Sequence, residues 1–215
     1  MTIRLHRGDL PDLSGYGAVV AIDTETLGLN PLRDRLCVVQ LSAGDGSADV
    51  VQMPVGDTSA PNLVRLLSDP QRLKLFHYAR FDLAVLFKTF GVMPQPAYCT
   101  KIASRLARTY TDRHGLKDLA KELLGVDLSK QQQSSDWGAH GLSDAQKQYA
   151  AQDVLYLHEL KSRLDRMLER EGRAGLARAA KAGLPIIVLS GRPVSFLRRM
   201  GLDRRIRMVG NFGNA

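Results

Sequence analysis

The sequence predicts an α/β domain in which strands come first and most helices follow. Three apolar, β-branched segments, GAVVAIDTE (17–25), RLCVVQLSAG (35–44) and ADVVQMPV (48–55), are separated by glycine and aspartate turns and indicate a meander of three strands. The short run LKLFHY (73–78) is typical of a fourth, buried strand. From residue 82 onward, apolar residues recur at spacings of three and four, which predicts helices.

The helices have less distinct boundaries than the strands, apart from the last one. Its start is marked by Ser143 and, three residues later, Gln146, a pattern typical of a capping box. The periodicity predicts helices over 60–69, 82–90, 101–110, 115–125 and 144–172.

The net charge of +8 is concentrated at the C-terminal end of the chain. Residues 172–215 carry nine basic side chains and one acidic side chain, whereas residues 1–171 carry 21 of each. The overall basicity therefore says little about what the main domain binds. We expect one domain over 1–175, followed by an atypical basic segment over 176–215 that is not a separate domain.

The composition favours a cytoplasmic protein without a membrane anchor. No apolar run approaches the roughly 20 residues needed to span a bilayer, and the N-terminal segment has no apolar signal region. Cys37 and Cys99 lie far apart without metal-ligand spacing, so we expect both to be reduced core residues.

A pair of acidic residues ends the first predicted strand. Asp23 and Glu25 are two residues apart, so their carboxylates lie on the same face of the sheet. Two crowded carboxylates are costly unless a cation neutralises them, and hard oxygen ligands suit Mg²⁺ or Mn²⁺. An isolated D-x-E at the end of a strand also fits the polar start of a loop.

Three further residues fit the same site. Asp82 begins a helix, where its charge could instead cap free backbone N–H groups. Tyr149 and Asp153 lie four residues apart on one face of the last helix, and that face is otherwise apolar. If these elements pack together, four carboxylates and a phenol meet, and two divalent ions could activate a water for attack on a phosphodiester.

Three motifs carry a resemblance to a known family. VAIDTETLGL, LFHYARFDLAVL and QYAAQDVLYLHEL resemble the exonuclease motifs of the DEDD superfamily, and the Tyr-x₃-Asp spacing in YAAQD is similar to its tyrosine branch, which includes ribonuclease D. The nearer resemblance is to the nanoRNase C family, small ribonuclease D-like enzymes of alphaproteobacteria, over roughly residues 3–175. It implies a ribonuclease H-like 3′-5′ exonuclease fold, with a central mixed sheet flanked by helices.

The resemblance also implies a catalytic site and a substrate. Asp23, Glu25, Asp82 and Asp153 would be metal ligands for two Mg²⁺ or Mn²⁺ ions, and Tyr149 would orient the attacking water. The expected reaction is hydrolysis of short oligoribonucleotides, including dinucleotides, from the 3′ end to nucleoside 5′-monophosphates. The expected partners are RNA 3′ ends, with DNA also open, and other copies of the chain, since related proteins form octameric rings.

Four residues near the motifs are candidate substrate contacts. In similar enzymes the backbone at Thr24 and an apolar side chain at Leu27 hold the terminal nucleotide, although Leu27 also fits ordinary core packing. His77 and Arg80 could contact a base or a phosphate, and a solvated surface role for Arg80 stays open.

Two further features have weaker claims. Trp137, in QQSSDW, is expected to pack against the last helix. A basic stretch could line a groove, contact phosphate or form an oligomer interface. It consists of Arg105, Arg108, Arg113, His114 and Lys117.

Other functions and the unusual C-terminal segment remain open at this point. One alternative is ribonuclease D-like trimming of tRNA, structured RNA or DNA 3′ ends, and another is a catalytically silent nucleic-acid-binding module. Relatives continue into a segment rich in aromatic and acidic residues, whereas this chain becomes basic. That departure fits either a reading-frame change near residues 173–180 or a basic arm that recruits RNA through phosphate contacts.

Overall fold

A six-stranded mixed sheet forms the centre of the computed structural model, which describes residues 2–173 and the backbone of 188–190 and 208–210. The strand order is β1-β4-β3-β2-β5-β6. Strands β2, β3 and β4 pair antiparallel, which confirms the predicted meander, and the other three pairings are parallel. The strands are β1 Thr2–Arg7, β2 Val19–Thr26, β3 Leu36–Ser42, β4 Ser47–Gln52, β5 Leu73–Phe76 and β6 Ala97–Cys99.

Helices cover the sheet, and each predicted helical segment is helical over most of its length. They are α1 Pro61–Ser68, α2 Arg80–Phe90, α3 Thr100–Ala107, α4 Leu116–Leu124, α5 Asp144–Leu155 and α6 Leu157–Arg170.

Alternation along β2 explains how the sheet separates two apolar layers. Val20 and Ile22 join the cluster that includes the leucines of α1 and α2, whereas Ala21 joins the cluster that includes the leucines of α6. Both layers contain fully buried leucines, such as Leu66 in the first layer and Leu160 in the second. The β2 strand therefore lies in the middle of the core, with only its carboxyl end available to form a polar site.

The prediction of one long helix over 144–172 is wrong, because the helix is interrupted at Tyr156, between α5 and α6. Tyr156 has φ −100° and ψ −4°, away from regular helix geometry. The α5 helix packs against β2, β3 and β4, whereas α6 packs mainly against α3 and α4. The two helices thus pack against different elements. The sequence has neither proline nor glycine at the break.

Two short strands were missed. The edge strand β1 is mostly exposed and carries three basic residues, so it has no apolar run to reveal it. The β6 strand has only three residues. The expectation that both cysteines are core residues holds for Cys37, whereas Cys99 at the end of β6 is only half-buried.

The predicted basic segment lies largely outside the described residues. Two short strands, β7 Val188–Ser190 and β8 Met208–Gly210, pair in parallel as a separate sheet. The domain boundary near residue 175 therefore stays a prediction. Among the helices of the described residues, none has the length and apolar character needed to cross a bilayer.

Candidate metal centre

Three predicted acidic residues meet at the end of β2. Each of Asp23, Glu25 and Asp153 offers a carboxylate oxygen, and these atoms lie within 4.8 Å of one another. Asp23 and Glu25 share a face of β2 because side chains alternate along a strand. Asp153 reaches them from α5, which packs across β2 and β3. The predicted convergence of a strand end and a helix face is therefore present.

The fourth carboxylate, Asp82, adjoins this group from α2. It lies in the first turn of that helix and is 3% exposed. Thr24 Oγ1 donates a hydrogen bond of 2.7 Å to Asp82 Oδ1, which ties the start of α2 to the end of β2. The charge of Asp82 also contributes to raising the pKa of Asp23, so all four carboxylates belong to one electrostatic unit.

The four acids are crowded and lack a cationic partner within residues 2–173. Burial, and then the charges of the other three acids, raises the pKa of Asp23 well above its ordinary value. Burial is also the main cause that raises the pKa of Glu25 to about 8 and those of Asp82 and Asp153 to about 7. Within residues 2–173, no lysine, arginine or histidine forms an ion pair with any of them.

This electrostatic arrangement fits a divalent cation. Clustered carboxylate oxygens are the ligands that Mg²⁺ and Mn²⁺ prefer, and a cation would relieve the repulsion that raises the pKa values. Asp23, Glu25, Asp82 and Asp153 are the residues that would hold it.

Gln40 is a member of the site that the sequence did not reveal. It lies on β3 directly opposite Asp23 and is fully buried. Its Nε2 donates a hydrogen bond of 3.0 Å to Asp23 Oδ2, while its Oε1 has no partner among the described residues. The available signal was a polar residue inside the apolar strand LCVVQLS. Gln40 fixes the orientation of the Asp23 carboxylate.

Tyr149 stands one helical turn before Asp153 and faces the acids. Burial, followed by the charges of Asp153, Glu25 and Asp23, raises its pKa far above the ordinary value, so the phenol keeps its proton. Its ring packs on Trp137, with centroids 5.9 Å apart at 43°. The predicted packing of Trp137 against this helix is confirmed.

The capping box that begins α5 is also confirmed. Ser143 Oγ accepts a hydrogen bond from Gln146 N, and Gln146 Oε1 accepts one from Ser143 N. Gln146 Nε2 donates to the carbonyl of Asp136, next to Trp137. The start of the helix and the tryptophan loop are thus joined, which fixes the position of Tyr149 and Asp153.

Leu27 and Thr24 have different environments. Leu27 follows β2 and is 55% exposed, so it is not an ordinary core residue. It lies so close to Gly138 that a Cβ on that glycine would come within 2.5 Å of Leu27 Cδ2. The Thr24 hydroxyl is engaged with Asp82, and the contact of the Thr24 backbone with substrate stays a prediction.

His77 lies in the turn that leads from β5 into α2, and Arg80 is the first residue of α2. His77 Nδ1 is 2.9 Å from Thr100 Oγ1, and burial, followed by the charge of Lys101, lowers its pKa to about 3. His77 is therefore neutral, and one ring nitrogen is occupied within the protein. Arg80 Nη2 donates a 2.8 Å hydrogen bond to Tyr78 Oη. Their substrate roles stay predictions.

Part of the predicted basic stretch is structural. Arg108 is fully buried and pairs with Glu122, which joins α3 to α4. His114 is buried with its Nδ1 2.9 Å from Ser104 Oγ. Arg105 and Arg113 remain exposed on this surface.

The fold and this acidic site define a class of nuclease domain. The profile of the 3′-5′ exonuclease family matches residues 10–169. The chain therefore belongs to the 3′-5′ exonuclease family, and the predicted ribonuclease H-like fold is confirmed.

Individual relatives confirm the predicted resemblance to ribonuclease D-like exonucleases. Ribonuclease D of Gluconacetobacter diazotrophicus is 39% identical over 154 residues, which cover 72% of this chain and 39% of the relative. The chain thus spans about two fifths of the length of the curated ribonucleases D it matches.

Solved structures give a more complete match. NrnC of Brucella melitensis bound to pGG is 63% identical with a TM-score of 0.82, covering 85% of this chain and 89% of that one. The same Brucella protein with bound Mg²⁺ is 62% identical, has a TM-score of 0.81 and shows the same coverage.

Proposed function

We propose that this chain is a metal-dependent 3′-5′ exoribonuclease. The observation that carries the proposal is the convergence of Asp23, Glu25 and Asp153, with Asp82 adjoining them, beside a protonated Tyr149. Membership of the 3′-5′ exonuclease family and the identity to ribonuclease D support the same reaction.

The four acids would hold two divalent ions, Mg²⁺ or Mn²⁺. When bound, these ions supply Lewis acidity that activates a water and stabilises the leaving oxygen of a phosphodiester. The Mg²⁺-bound structure of the Brucella relative supports the choice of metal.

Other residues of the chain position the reacting groups. Tyr149 keeps its proton and orients the attacking water through its hydroxyl. Gln40 holds Asp23, and Thr24 holds Asp82, so neither carboxylate needs to reorganise during the reaction. The exposed side chain of Leu27 would support the terminal base, and His77 and Arg80 would contact the rest of the substrate.

The proposed substrates are short oligoribonucleotides, including dinucleotides, and the products are nucleoside 5′-monophosphates. The complex of the Brucella relative with pGG, at 63% identity, favours this class. Ribonuclease D-like trimming of tRNA, structured RNA or DNA is the second candidate, favoured by the 39% identity to a ribonuclease D over 72% of the chain. A silent binding module is the least favoured, because all four acids and Tyr149 converge.

Self-association is the proposed assembly state. The resemblance to ring-forming proteins motivates this proposal, and contact with another copy would cover exposed apolar side chains such as Leu29, which is 89% exposed. Light scattering of the purified chain should give a mass well above 23.7 kDa. A monomeric mass would remove this part of the proposal. The cytoplasmic location stays a prediction.

Digestion of 5′-labelled RNAs of two, five and twenty nucleotides tests the reaction. Each RNA is incubated with Mg²⁺, Mn²⁺ or EDTA, using the chain and its Asp153→Asn variant. We expect metal-dependent shortening from the 3′ end that is fastest on the dinucleotide and absent in the variant. Equal trimming of the longest RNA would favour the ribonuclease D-like alternative, and no hydrolysis in either metal would contradict the proposal.

A further inference from the structure

Tyr78 has a backbone conformation that is unusual for its residue type. It lies in the turn between β5 and α2 with φ +67°, and it is the one non-glycine residue with positive φ in the described part of the chain. This region is costly for a bulky side chain, and such conformations cluster at functional sites. The side chain is 45% exposed, so burial of the ring does not explain why tyrosine is present here.

Two cationic side chains hold the ring of Tyr78. Lys101 Nζ, from the first turn of α3, is 4.1 Å from the ring centroid. The guanidinium carbon of Arg80 is 5.4 Å from the same centroid, and its Nη2 donates to the phenol oxygen. Cation–π contacts of this kind fix the ring at the surface beside two positive charges. An ordered aromatic ring beside basic groups is the arrangement that binds single-stranded nucleic acid.

The position of Tyr78 relative to the metal centre follows from the topology. Strands β2 and β5 are parallel neighbours, with Ala21 opposite Leu75, so both lead to the same edge of the sheet. Tyr78 lies just beyond the end of β5. Four residues later, in the first turn of α2, lies Asp82, which accepts a hydrogen bond from Thr24 of β2. The tyrosine therefore lies at the same edge of the sheet as the four acids.

The two flanks of β2 present different side chains at this edge. On the β3 side lies Leu27, whose N–H donates to the carbonyl of Arg35 just before β3. On the β5 side lies the ring of Tyr78 with Lys101 and Arg80. If the terminal nucleotide is held at Thr24 and Leu27, the remainder of the strand leaves toward Tyr78.

We propose that Tyr78, Lys101 and Arg80 form a second nucleotide subsite, in which the base 5′ to the scissile phosphate stacks on the tyrosine ring and the two cations contact backbone phosphate. The proposal rests on the proposed exonuclease function and adds the element that binds the second nucleotide. Because every base has a stacking face, the subsite accepts all four bases. It also favours substrates of at least two nucleotides over a single nucleotide.

Two substitutions at Tyr78 distinguish the effect of the aromatic ring from the effect of the strained backbone conformation. Glycine adopts positive φ readily, so Tyr78→Gly removes the ring while keeping a backbone that suits the turn. Its melting temperature should stay within a few degrees of the wild type. Tyr78→Phe keeps the stacking face and loses only the hydroxyl that accepts from Arg80. The substrates are a dinucleotide with both bases and the same dinucleotide with an abasic 5′ position.

The expected result is specific to the second base. Tyr78→Gly should lower kcat/KM on the two-base dinucleotide at least about fivefold, mainly through KM, since stacking contributes at least about a fivefold factor per base. It should leave the abasic substrate unchanged, and Tyr78→Phe should behave as wild type on both. An equal loss on both substrates would assign Tyr78 a structural role only and overturn the proposal.

A matched pair of lysine variants tests the phosphate contact. Lys161 on α6 has its Nζ 5.2 Å from the ring centroid of Tyr98 in β6, so Lys161→Ala removes a cation–π contact elsewhere in the protein. Lys101→Ala should weaken dinucleotide binding and make the affinity less dependent on salt, because one phosphate contact is lost. Lys161→Ala should change neither quantity. Identical salt dependence in the two variants would contradict the role of Lys101.

Failure of this subsite and failure of the exonuclease proposal give different results. If the wild type hydrolyses neither dinucleotide, the proposed reaction is wrong, and filter binding of the same labelled dinucleotides then tests the subsite alone. Weaker binding of the two-base dinucleotide by Tyr78→Gly, with equal binding of the abasic one, would support the subsite. Equal binding of both substrates by the wild type and the variant would overturn it.

Discussion

Two regions of the same sheet contain buried or half-buried carboxylates, and the surroundings of these carboxylates differ between the regions. At the end of β2, the metal centre brings together four acids. At the edge formed by β1 and β4, Asp49 is 5% exposed and is surrounded by donors. Arg4 donates to both of its oxygens, at 2.7 and 2.8 Å, Tyr16 Oη donates at 2.6 Å, and His6 Nε2 lies 2.7 Å away. We call these four residues the Asp49 cluster.

The pKa values of the carboxylates shift in opposite directions in the two regions. Burial alone would raise the pKa of Asp49, but hydrogen bonds from Arg4, Tyr16 and His6 outweigh it and hold the pKa at about 2. At the metal centre, burial and mutual repulsion raise the pKa of Glu25 to about 8. The protein therefore supplies a cationic partner, Arg4, to the structural carboxylate of Asp49, whereas the four acids have none within residues 2–173 and are suited to an external cation.

The largest expected difference between the two regions is in catalysis. Asp153→Asn should lower hydrolysis of a dinucleotide at least about 1000-fold, because a metal contributes several kcal/mol of transition-state stabilisation. Asp49→Asn, remote from the reacting groups, should keep the rate of the folded fraction near wild type. Single-turnover rates at equal folded concentration measure both. Comparable losses of hydrolysis rate in the two variants would contradict the distinction between a catalytic and a structural carboxylate.

The same distinction predicts opposite effects on stability without metal. At a pH high enough to ionise the four acids, Asp23→Asn removes a charge from a repulsive group and should stabilise the metal-free chain by about 1–4 kcal/mol. Asp49→Asn weakens charge-assisted hydrogen bonds and should destabilise it by about 2–3 kcal/mol. Urea unfolding in EDTA measures both changes. Destabilisation by Asp23→Asn would show that its carboxylate is compensated internally.

Tyr149→Phe sharpens the comparison by changing the metal centre without removing a ligand. The ring packing on Trp137 is kept, and only the hydroxyl that orients the water is lost. The value of kcat should fall about 10- to 100-fold, the scale of a misplaced reacting group. The metal-dependent shift in melting temperature should be unchanged. An unaltered kcat would remove Tyr149 from the proposed chemistry.

The pH dependence of stability should also differ between the regions. For the metal centre, the folded pKa values of about 7 to 8 lie above the ordinary values of 3.8 and 4.5, so the folded state binds protons more tightly. Stability in EDTA should therefore fall as the pH rises from about 4 to 8. For Asp49 the folded pKa is lower, so its contribution is present above pH 4 and is lost as the pH falls toward 2.

Metal should act on only one of these two pH windows. Saturating Mg²⁺ should flatten the decline between pH 4 and 8, because bound cations keep the four acids ionised. Loss of stability toward pH 2 should persist. Urea unfolding across the pH range, with and without Mg²⁺, measures both. A decline between pH 4 and 8 that is the same in both conditions would contradict the assignment of the acids as ligands.

Local periodicity was sufficient to predict the side-chain faces of the metal centre. The twofold repeat of a strand put Asp23 and Glu25 together, and the helical repeat put Tyr149 beside Asp153. The motif resemblance then joined them to Asp82. The two local pairs, Asp23 with Glu25 and Tyr149 with Asp153, depend only on spacings of two and four residues. The helix break at Tyr156 therefore did not affect their prediction.

Features that depend on long-range packing were not predictable in the same way. Gln40 faces Asp23 only because β3 pairs with β2 in one register, and the Asp49 cluster exists only because β1 joins β4 in parallel. The positive φ of Tyr78 has no glycine or asparagine to signal it. Arg108 was predicted to line a groove, contact phosphate or form an oligomer interface, whereas it is fully buried and pairs with the partly exposed Glu122 of α4.

Calorimetric titration with Mn²⁺ tests most directly whether the acids at the end of β2 take an external cation. Wild type and Asp49→Asn should both bind about two ions per chain. Asp23→Asn should bind fewer ions, or bind them at least about tenfold more weakly, since it loses a ligand. Binding by Asp23→Asn that equals the wild type in number and affinity would show that the four acids are not the metal centre.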